Sequence, residues 1–223
     1  MPDKIELRNV TFSHGGIPVL RHVSLVIKKG DIILVNGRTG SGKSTLLEIS
    51  CGLLHPVSGN VFWDDIDLFS ISRQKLLIAR HKIGFVFQVP ALISNHSVFE
   101  NIALPLRSRS RLAEAEITHQ VRIIMEEVGL FNVERLFPES LSLGQLKAVS
   151  LARALISNPE LLILDEILCG VDPDTAQGFL NVISEYQRTF NAAIIMSSHD
   201  LSIWPDLNTR KFNLESGILS NAE

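Results

Sequence analysis

In the stretch DIILVNGRTGSGKST, Asp31 to Thr45, a short apolar run leads directly into a glycine-rich segment that closes on Lys-Ser-Thr. The run reads as a buried strand and Lys43 to Gly52 as a helix, so the glycines occupy a strand-to-helix turn. Gly37 to Thr45 matches G-x-x-x-x-G-K-[ST] in the context which that pattern requires. Glycines let backbone N–H groups curl around phosphate oxygens where a side chain would block the approach. The helix N-terminus adds a dipole that favours an anion. Lys43 is placed to reach the β- and γ-phosphates of a nucleotide and Ser44 to ligate Mg²⁺. Gly37, Arg38, Thr39, Gly40, Ser41, Gly42, Lys43, Ser44 and Thr45 are therefore candidate nucleotide contacts.

The rest of the chain suits one large domain. Its 223 residues are 45% hydrophobic and 20% charged, a composition that buries a sizeable core without metal or disulfide staples. A net charge of −3 with no basic run argues against nucleic acid as partner, because phosphate neutralisation needs clustered Lys and Arg. Cys51 and Cys169 fit free thiols in a reducing compartment. The seven histidines form no zinc-like pattern with cysteine. The N-terminus lacks an apolar signal core, and no apolar run reaches the ~20 residues that span a bilayer. The expectation is a soluble chain whose membrane role, if any, comes through a partner.

KIELRNVTF and VLRHVSLVI alternate apolar with polar residues and read as half-buried antiparallel strands. NVFWD and KIGFVFQ are strand-like and flank a helix near Arg73 to His81. Helical signal dominates from Val98 to Ile156, with a stripe at Ile117, Val121, Ile124, Met125 and Val128. Val98, Phe99, Ile102 and Leu106 form another face, read mostly as core. From Glu160 strands and helices alternate again: LLILD, a helix from about Pro173 to Thr189, AAIIMSS and TRKFNL. This order predicts an α/β fold with a parallel-sheet core, an N-terminal antiparallel β layer and an inserted helical subdomain. Residues 1–88 and 157–223 would form the core, and about 89–156 the insert.

ELLILDE, Glu160 to Glu166, is an apolar run ending in two acids, a buried strand that carries carboxylates to the ligand edge of a sheet. Asp165 is placed to hold Mg²⁺, and Glu166 to take a proton from, or orient, an attacking water. With these motifs in order, the chain resembles an ABC-type ATPase, the nucleotide-binding subunit of an ABC transporter and a P-loop NTPase, along nearly its whole length. The matching elements are the glycine-rich loop, a strand ending in Gln88, LSLGQ at Leu141 to Gln145, LLILDE, GVD ending in Asp172, and SSHD with His199. The resemblance implies that Gln88 contacts Mg²⁺ or the water and senses a membrane partner. It also implies that His199 approaches the γ-phosphate and that Asp172 lies at a dimer interface.

The resemblance gives LSLGQ a role across a two-fold dimer, with Ser142 and the Gly144 amide pressing on the γ-phosphate bound by the other subunit and Gln145 opening a helix towards it. The chain departs from the family pattern in three places. Leu143 stands for the usual glycine, which would hinder closure if its φ must be positive or its Cβ faces the nucleotide. Ile167, Leu168 and Cys169 stand for Pro-Thr-Ala. His14 stands where an aromatic often stacks on adenine.

The implied function is ATP binding and hydrolysis with Mg²⁺, driving an integral membrane permease subunit as a homodimer, or as a heterodimer with a related ATPase. The implied location is the cytoplasmic face of the inner membrane. SVFENIALPL, VGL and ESLS are similar to segments of Mla-type lipid-transport ATPases, with lipoprotein-release and FtsE-like ATPases close behind. The other reading is a regulatory or structural ATP-binding module with weak turnover, which Leu143 and the altered loop after Glu166 motivate. A soluble relative acting on nucleic acid would need paired cassettes or basic arms, which the sequence does not show.

Overall fold

The structure, a computed structural model, describes residues 4–109, 112–199 and 209–222. A four-stranded antiparallel sheet opens the chain. Its strands are β1 (Lys4–His14), β2 (Ile17–Lys28), β4 (Ser58–Trp63) and the short β5 (Ile66–Asp67), in the order β2-β1-β4-β5. The alternating residues Ile5 and Leu7 face inward from β1, as do Val23, Leu25 and Ile27 from β2.

The second sheet has six strands in the order β10-β9-β3-β8-β7-β6. These are β3 (Ile32–Asn36), β6 (Ile83–Val86), β7 (Leu161–Asp165), β8 (Ala193–Ser198), β9 (Thr209–Glu215) and β10 (Ile218–Asn221). All neighbours run parallel except β10, which folds back on β9 as a hairpin. Every residue of β7 and β8 is buried, as expected of parallel strands covered on both faces. Successive residues of these strands feed different cores. Ile33, Val35, Leu161, Ile163, Ala193 and Ile195 pack with the antiparallel sheet and with helix α1 (Lys43–Ser50). Leu34, Leu162, Leu164, Ile194 and Met196 pack against α3 (Val98–Arg109), α4 (Glu114–Glu127), α5 (Leu143–Leu155) and α6 (Pro173–Phe190). The remaining helix, α2 (Arg73–Arg80), starts from a Ser72 cap and has no fully buried residue.

The α/β class, the N-terminal antiparallel layer and the helices inserted before the second half of the sheet all match the sequence expectation. Val98, Ile102 and Leu106 are buried core, as their spacing implied. Three details differ. The strand before Gln88 stops at Val86, so Phe87 and Gln88 have already left the sheet. The helix expected from Gln145 starts at Leu143. Strands β5 and β10 have no counterpart in the sequence reading, because two or four residues beside a turn carry too little periodicity to register. Both cysteines are free, and burial pushes the Cys51 thiol up to about 12.

The carboxyl ends of β3, β6, β7 and β8 lie along one edge, where open α/β sheets bind ligands. The glycine-rich loop follows β3, Gln88 follows β6, Glu166 follows β7 and His199 follows β8. The topology thus gathers side chains that are far apart in sequence.

Candidate active site

Between β3 and α1 the chain passes through left-handed backbone at Gly40 (φ 79°) and Gly42 (φ 105°). Only glycine adopts such angles freely. A Cβ on Gly42 would also press within 3.0 Å of Leu20 Cδ2 and of the Val19 carbonyl. The turn directs the Lys43 side chain back under its own loop, where the Lys43 ammonium donates to the carbonyls of Gly37 (2.7 Å) and Arg38 (3.3 Å). Lys43 is 5% exposed and forms an ion pair with Glu166 Oε1 at 3.0 Å. Ser41 Oγ is buried in the same loop without a hydrogen-bond partner. A cradle of glycines with a buried ammonium and an orphaned hydroxyl fits a phosphate, whose oxygens satisfy both donors.

Glu166 follows the last residue of β7 and turns into left-handed backbone, φ 46°. Its carboxylate, 7% exposed, receives three side chains from three other elements. Lys43 meets Oε1, Gln88 Nε2 donates to Oε2 at 3.0 Å, and His199 Nε2 lies 2.9 Å from Oε1. The Glu166 amide donates to Ser197 Oγ at 2.9 Å, and that hydroxyl donates to Asp165 Oδ1 at 2.6 Å. Asp165 is thus fixed beside Glu166 and buried. Partial burial, reinforced by the charge of Asp165, raises the pKa of Glu48 on α1.

These groups border an open cleft of about 460 Å³, lined by Phe12, His14, Thr39, Gly40, Gly42, Lys43, Ser44, Thr45, Gln88 and Glu166 among others. Ser44, Thr45 and Gln88 line the same cleft as Lys43, while Asp165 is not among the lining residues and is held next to Glu166 by Ser197. The set of Ser44, Gln88 and Asp165 is hard oxygen chemistry, which suits Mg²⁺. His14 sits at the mouth, at the β1–β2 turn, where an imidazole can face a base.

Ser142, Gly144, Gln145 and Asp172 are not in this cleft. They line a second one, about 580 Å³, with Leu143, Gly170, Thr175 and the end of α4. Ser142 caps α5: its hydroxyl accepts the Gln145 N–H (3.2 Å), and Gln145 Oε1 accepts the Ser142 N–H (2.9 Å). This reciprocal capping box has a sequence signature, S-x-x-Q, that explains the pair without any nucleotide. Asp172 caps α6 in the same way, accepting from Thr175 Oγ1 (2.6 Å) and the Thr175 N–H (2.9 Å). Leu143 occupies the first helical position and is absent from the residues with positive φ, so the leucine is under no backbone strain. It is 43% exposed, and its Cδ2 leans over Gly170. Ile167 is fully buried in the helical core and Leu168 packs against it, so the unusual residues after Glu166 anchor that loop.

Two supporting residues escaped the sequence reading. Ser197 ties Asp165 to the Glu166 backbone, and nothing local marks a serine at a strand end for that task. Asn101 is completely buried; its amide donates to the carbonyls of Ile93, His96 and Ser97 and accepts the Ile93 N–H. It fastens the segment after Gln88, with Arg153 of α5 donating to the Ala91 carbonyl at 2.7 Å. Its signal was legible: Asn101 interrupts the apolar stripe of α3, and a buried amide has to be spent on hydrogen bonds.

Known proteins resemble this chain in sequence and in overall fold. The family model described as ABC transporter matches residues 20–168. The methionine import ATP-binding protein MetN of Haemophilus influenzae (strain 86-028NP) is 37% identical over 203 residues, covering 89% of this chain and 59% of that protein. The corresponding protein of Campylobacter jejuni is 34% identical, covering 96% and 68%. The chain thus spans about three fifths of the first of these curated relatives and about two thirds of the second. Among solved structures, the dimeric bacterial ABC transporter cassette MJ0796 superposes with TM-score 0.92 at 30% identity, covering 98% of this chain and 97% of that one. A dimeric post-hydrolysis state of the same cassette, bound to ADP and phosphate, gives 0.89. The chain belongs to the ABC transporter family, as one of its ATP-binding ATPase cassettes.

Proposed function

We propose that the chain binds Mg-ATP in the Lys43 cleft, closes on a second cassette and hydrolyses the nucleotide to drive an integral membrane permease. The observation that carries this reading is the Glu166 carboxylate, buried at the cleft wall and contacted from three elements by Lys43, Gln88 and His199. The loop amides and Lys43 hold the β- and γ-phosphates. A phosphate oxygen in the cleft competes with Glu166 for the Lys43 ammonium and frees the carboxylate to act as base. Water attacks the γ-phosphorus in line as the bond to the bridging oxygen breaks; ADP leaves, and the water proton passes to Glu166. Gln88 and His199 keep that carboxylate turned towards the water. Ser44, Gln88 and Asp165 would hold Mg²⁺, which neutralises charge on the phosphate oxygens.

Ser142 and Gly144 line a different cleft from Lys43, so their contribution to hydrolysis has to be made to the nucleotide of another copy, or of a related cassette. Asp172 borders the same face and would join that interface. The weak-turnover alternative loses its backbone motive, since Leu143 takes helical angles, and keeps only the bulk of an exposed Leu143 side chain at the cleft edge. No helix among the described residues is long and apolar enough to cross a membrane. In this reading the cassette works against an integral membrane permease at the cytoplasmic face of the inner membrane. The curated relatives are named for methionine import and give no support to the lipid or lipoprotein cargo expected from SVFENIALPL, VGL and ESLS.

The test is the solution mass of Glu166→Gln by light scattering with and without Mg-ATP. Blocking proton transfer while keeping ATP bound traps the closed state by mass action. The expected result is an ATP-dependent passage from monomer to dimer. A variant that binds ATP yet stays monomeric removes the homodimeric reading and leaves a heterologous cassette as the partner to seek.

A further inference from the structure

Lys147 lies one helical turn after Leu143 on α5 and is 2% exposed. Its ammonium donates to two main-chain carbonyls, Glu166 at 2.9 Å and Cys169 at 2.5 Å. Burial lowers its pKa, and the neighbouring Glu166 and Asp165 charges oppose that shift. A buried cation is costly to place, so its contacts are worth tracing. They fall on the loop that joins the base to the second cleft. Glu166 sits in left-handed backbone that a non-glycine residue adopts only where the surroundings over-determine it. Ser197 Oγ fixes the amide of Glu166 from the β8 side, and Lys147 fixes its carbonyl from the α5 side. Leu143, on the same face of α5, covers Gly170 four residues further along the loop.

We propose that Lys147 is a positioning residue that locks Glu166 in its left-handed backbone and links the base of one cleft to the helix end that forms the other. Displacement of the Ser142 end of α5 moves Leu143 and Lys147 together, and both act on the loop from Glu166 to Gly170. Each chain would thereby tie the half-site that it lends to the base that it owns. The inference rests on the hydrolytic reading above for Glu166, but not for the contacts themselves.

The test compares wild type with Lys147→Met, which keeps the stem and loses the donor, and with Lys147→Gln, which keeps a shorter donor. The first readout is hydrogen exchange of the amides at 166–170 in protein without nucleotide. The expected result is exchange at least tenfold faster in that loop for Lys147→Met, with the rest of α5 and β7 unchanged and Lys147→Gln in between. The second is steady-state ATP hydrolysis, with kcat expected to fall about tenfold or more at a KM within twofold of wild type. Unchanged exchange at 166–170 overturns the proposal, whatever the activity. Exchange that rises throughout the chain in both variants, or a loss carried by KM alone, also overturns it by reducing Lys147 to packing. A wild-type chain that hydrolyses no ATP defeats the functional reading instead, and the exchange measurement still decides the role of Lys147.

Discussion

Around Lys43 the chain bends through left-handed glycines and gathers buried charges; around Ser142 it starts a helix with ordinary angles and a side-chain cap. Both clefts touch the segment from Glu166 to Asp172, one at each end. In the first, residue identity is dictated by conformation and charge, since Gly42 has no alternative and Lys43 must neutralise Glu166. In the second, the helix start has ordinary angles and Leu143 stands where glycine is usual without backbone strain, while the left-handed glycines of that cleft, Gly129 (φ 77°) and Gly170 (φ 75°), lie on the segments that border it. Conformation and charge constrain the Lys43 side, whereas a side-chain cap is enough to set the helix start at Ser142.

The largest expected effect tests the Lys43 side. Lys43→Met removes the ammonium proposed to hold the phosphates and leaves Glu166 buried with Gln88 and His199 as its remaining side-chain partners. Turnover should fall by roughly 10²–10³-fold, the cost of losing a preorganised charge at the reacting group. Urea unfolding should show a loss of about 3 kcal/mol, the lower part of the range for breaking a buried pair, because Gln88 and His199 still contact the carboxylate. An equally stable variant would show that Glu166 does not depend on Lys43, and the contrast between the clefts would lose its electrostatic half.

A matched pair of substitutions comes next. Gly42→Ala forces a Cβ into left-handed backbone and against Leu20 and Val19, so it should cost about 1–2 kcal/mol and weaken nucleotide binding. Gly144→Ala puts a methyl in a helix at ordinary contact, 3.5 Å from Thr175 Cγ2, and should stabilise the chain by about 0.5–1 kcal/mol. The two are compared by chemical denaturation, with fluorescent-nucleotide titration for the first. Changes of the same sign would break the distinction between the clefts.

How far each cleft was legible follows from the same contrast. The glycine-rich loop, Asp165 and Glu166 stood out because their chemistry is local: a strand, a tight turn and a helix within fifteen residues. Gln88 and His199 became interpretable only through their order along the chain, since a lone amide or imidazole carries no message of its own. The capping roles of Ser142 with Gln145, and of Asp172 before Pro173 and Thr175, are written in the sequence as S-x-x-Q and D-P-x-T, within the same residues that the family resemblance assigns to a phosphate or a dimer interface. Ser197 and Lys147 were not legible, because each acts on main chain that is distant in sequence and only the sheet order and the α5 packing bring it near. Leu143 needed φ, which no residue name supplies when the position is the first of a helix.

The smallest expected effect is in acid titration, where the two clefts carry carboxylates of opposite behaviour. At Asp172 the Thr175 hydroxyl, and then the Thr175 amide, stabilise the ionised form and hold the pKa below the ordinary 3.8. Its contribution to stability is therefore complete above that ordinary value and is lost as pH falls through the depressed one. At Glu48 partial burial, then the charge of Asp165, favours the protonated form and lifts the pKa above 4.5. Its effect has the reverse sign: a penalty that is absent in acid and builds as pH rises through the raised value. Unfolding midpoints of Asp172→Asn and Glu48→Gln, taken against wild type at about pH 3 and about pH 7, separate the two. The asparagine keeps a cap acceptor but no charge, so its deficit at neutral pH should shrink in acid, by a modest amount because the site is exposed and salt-screened. The glutamine should be the more stable protein at neutral pH and lose that advantage in acid. If both variants shifted in the same sense, Glu48 would be solvated like Asp172, and the electrostatic difference between the two clefts would have to be abandoned.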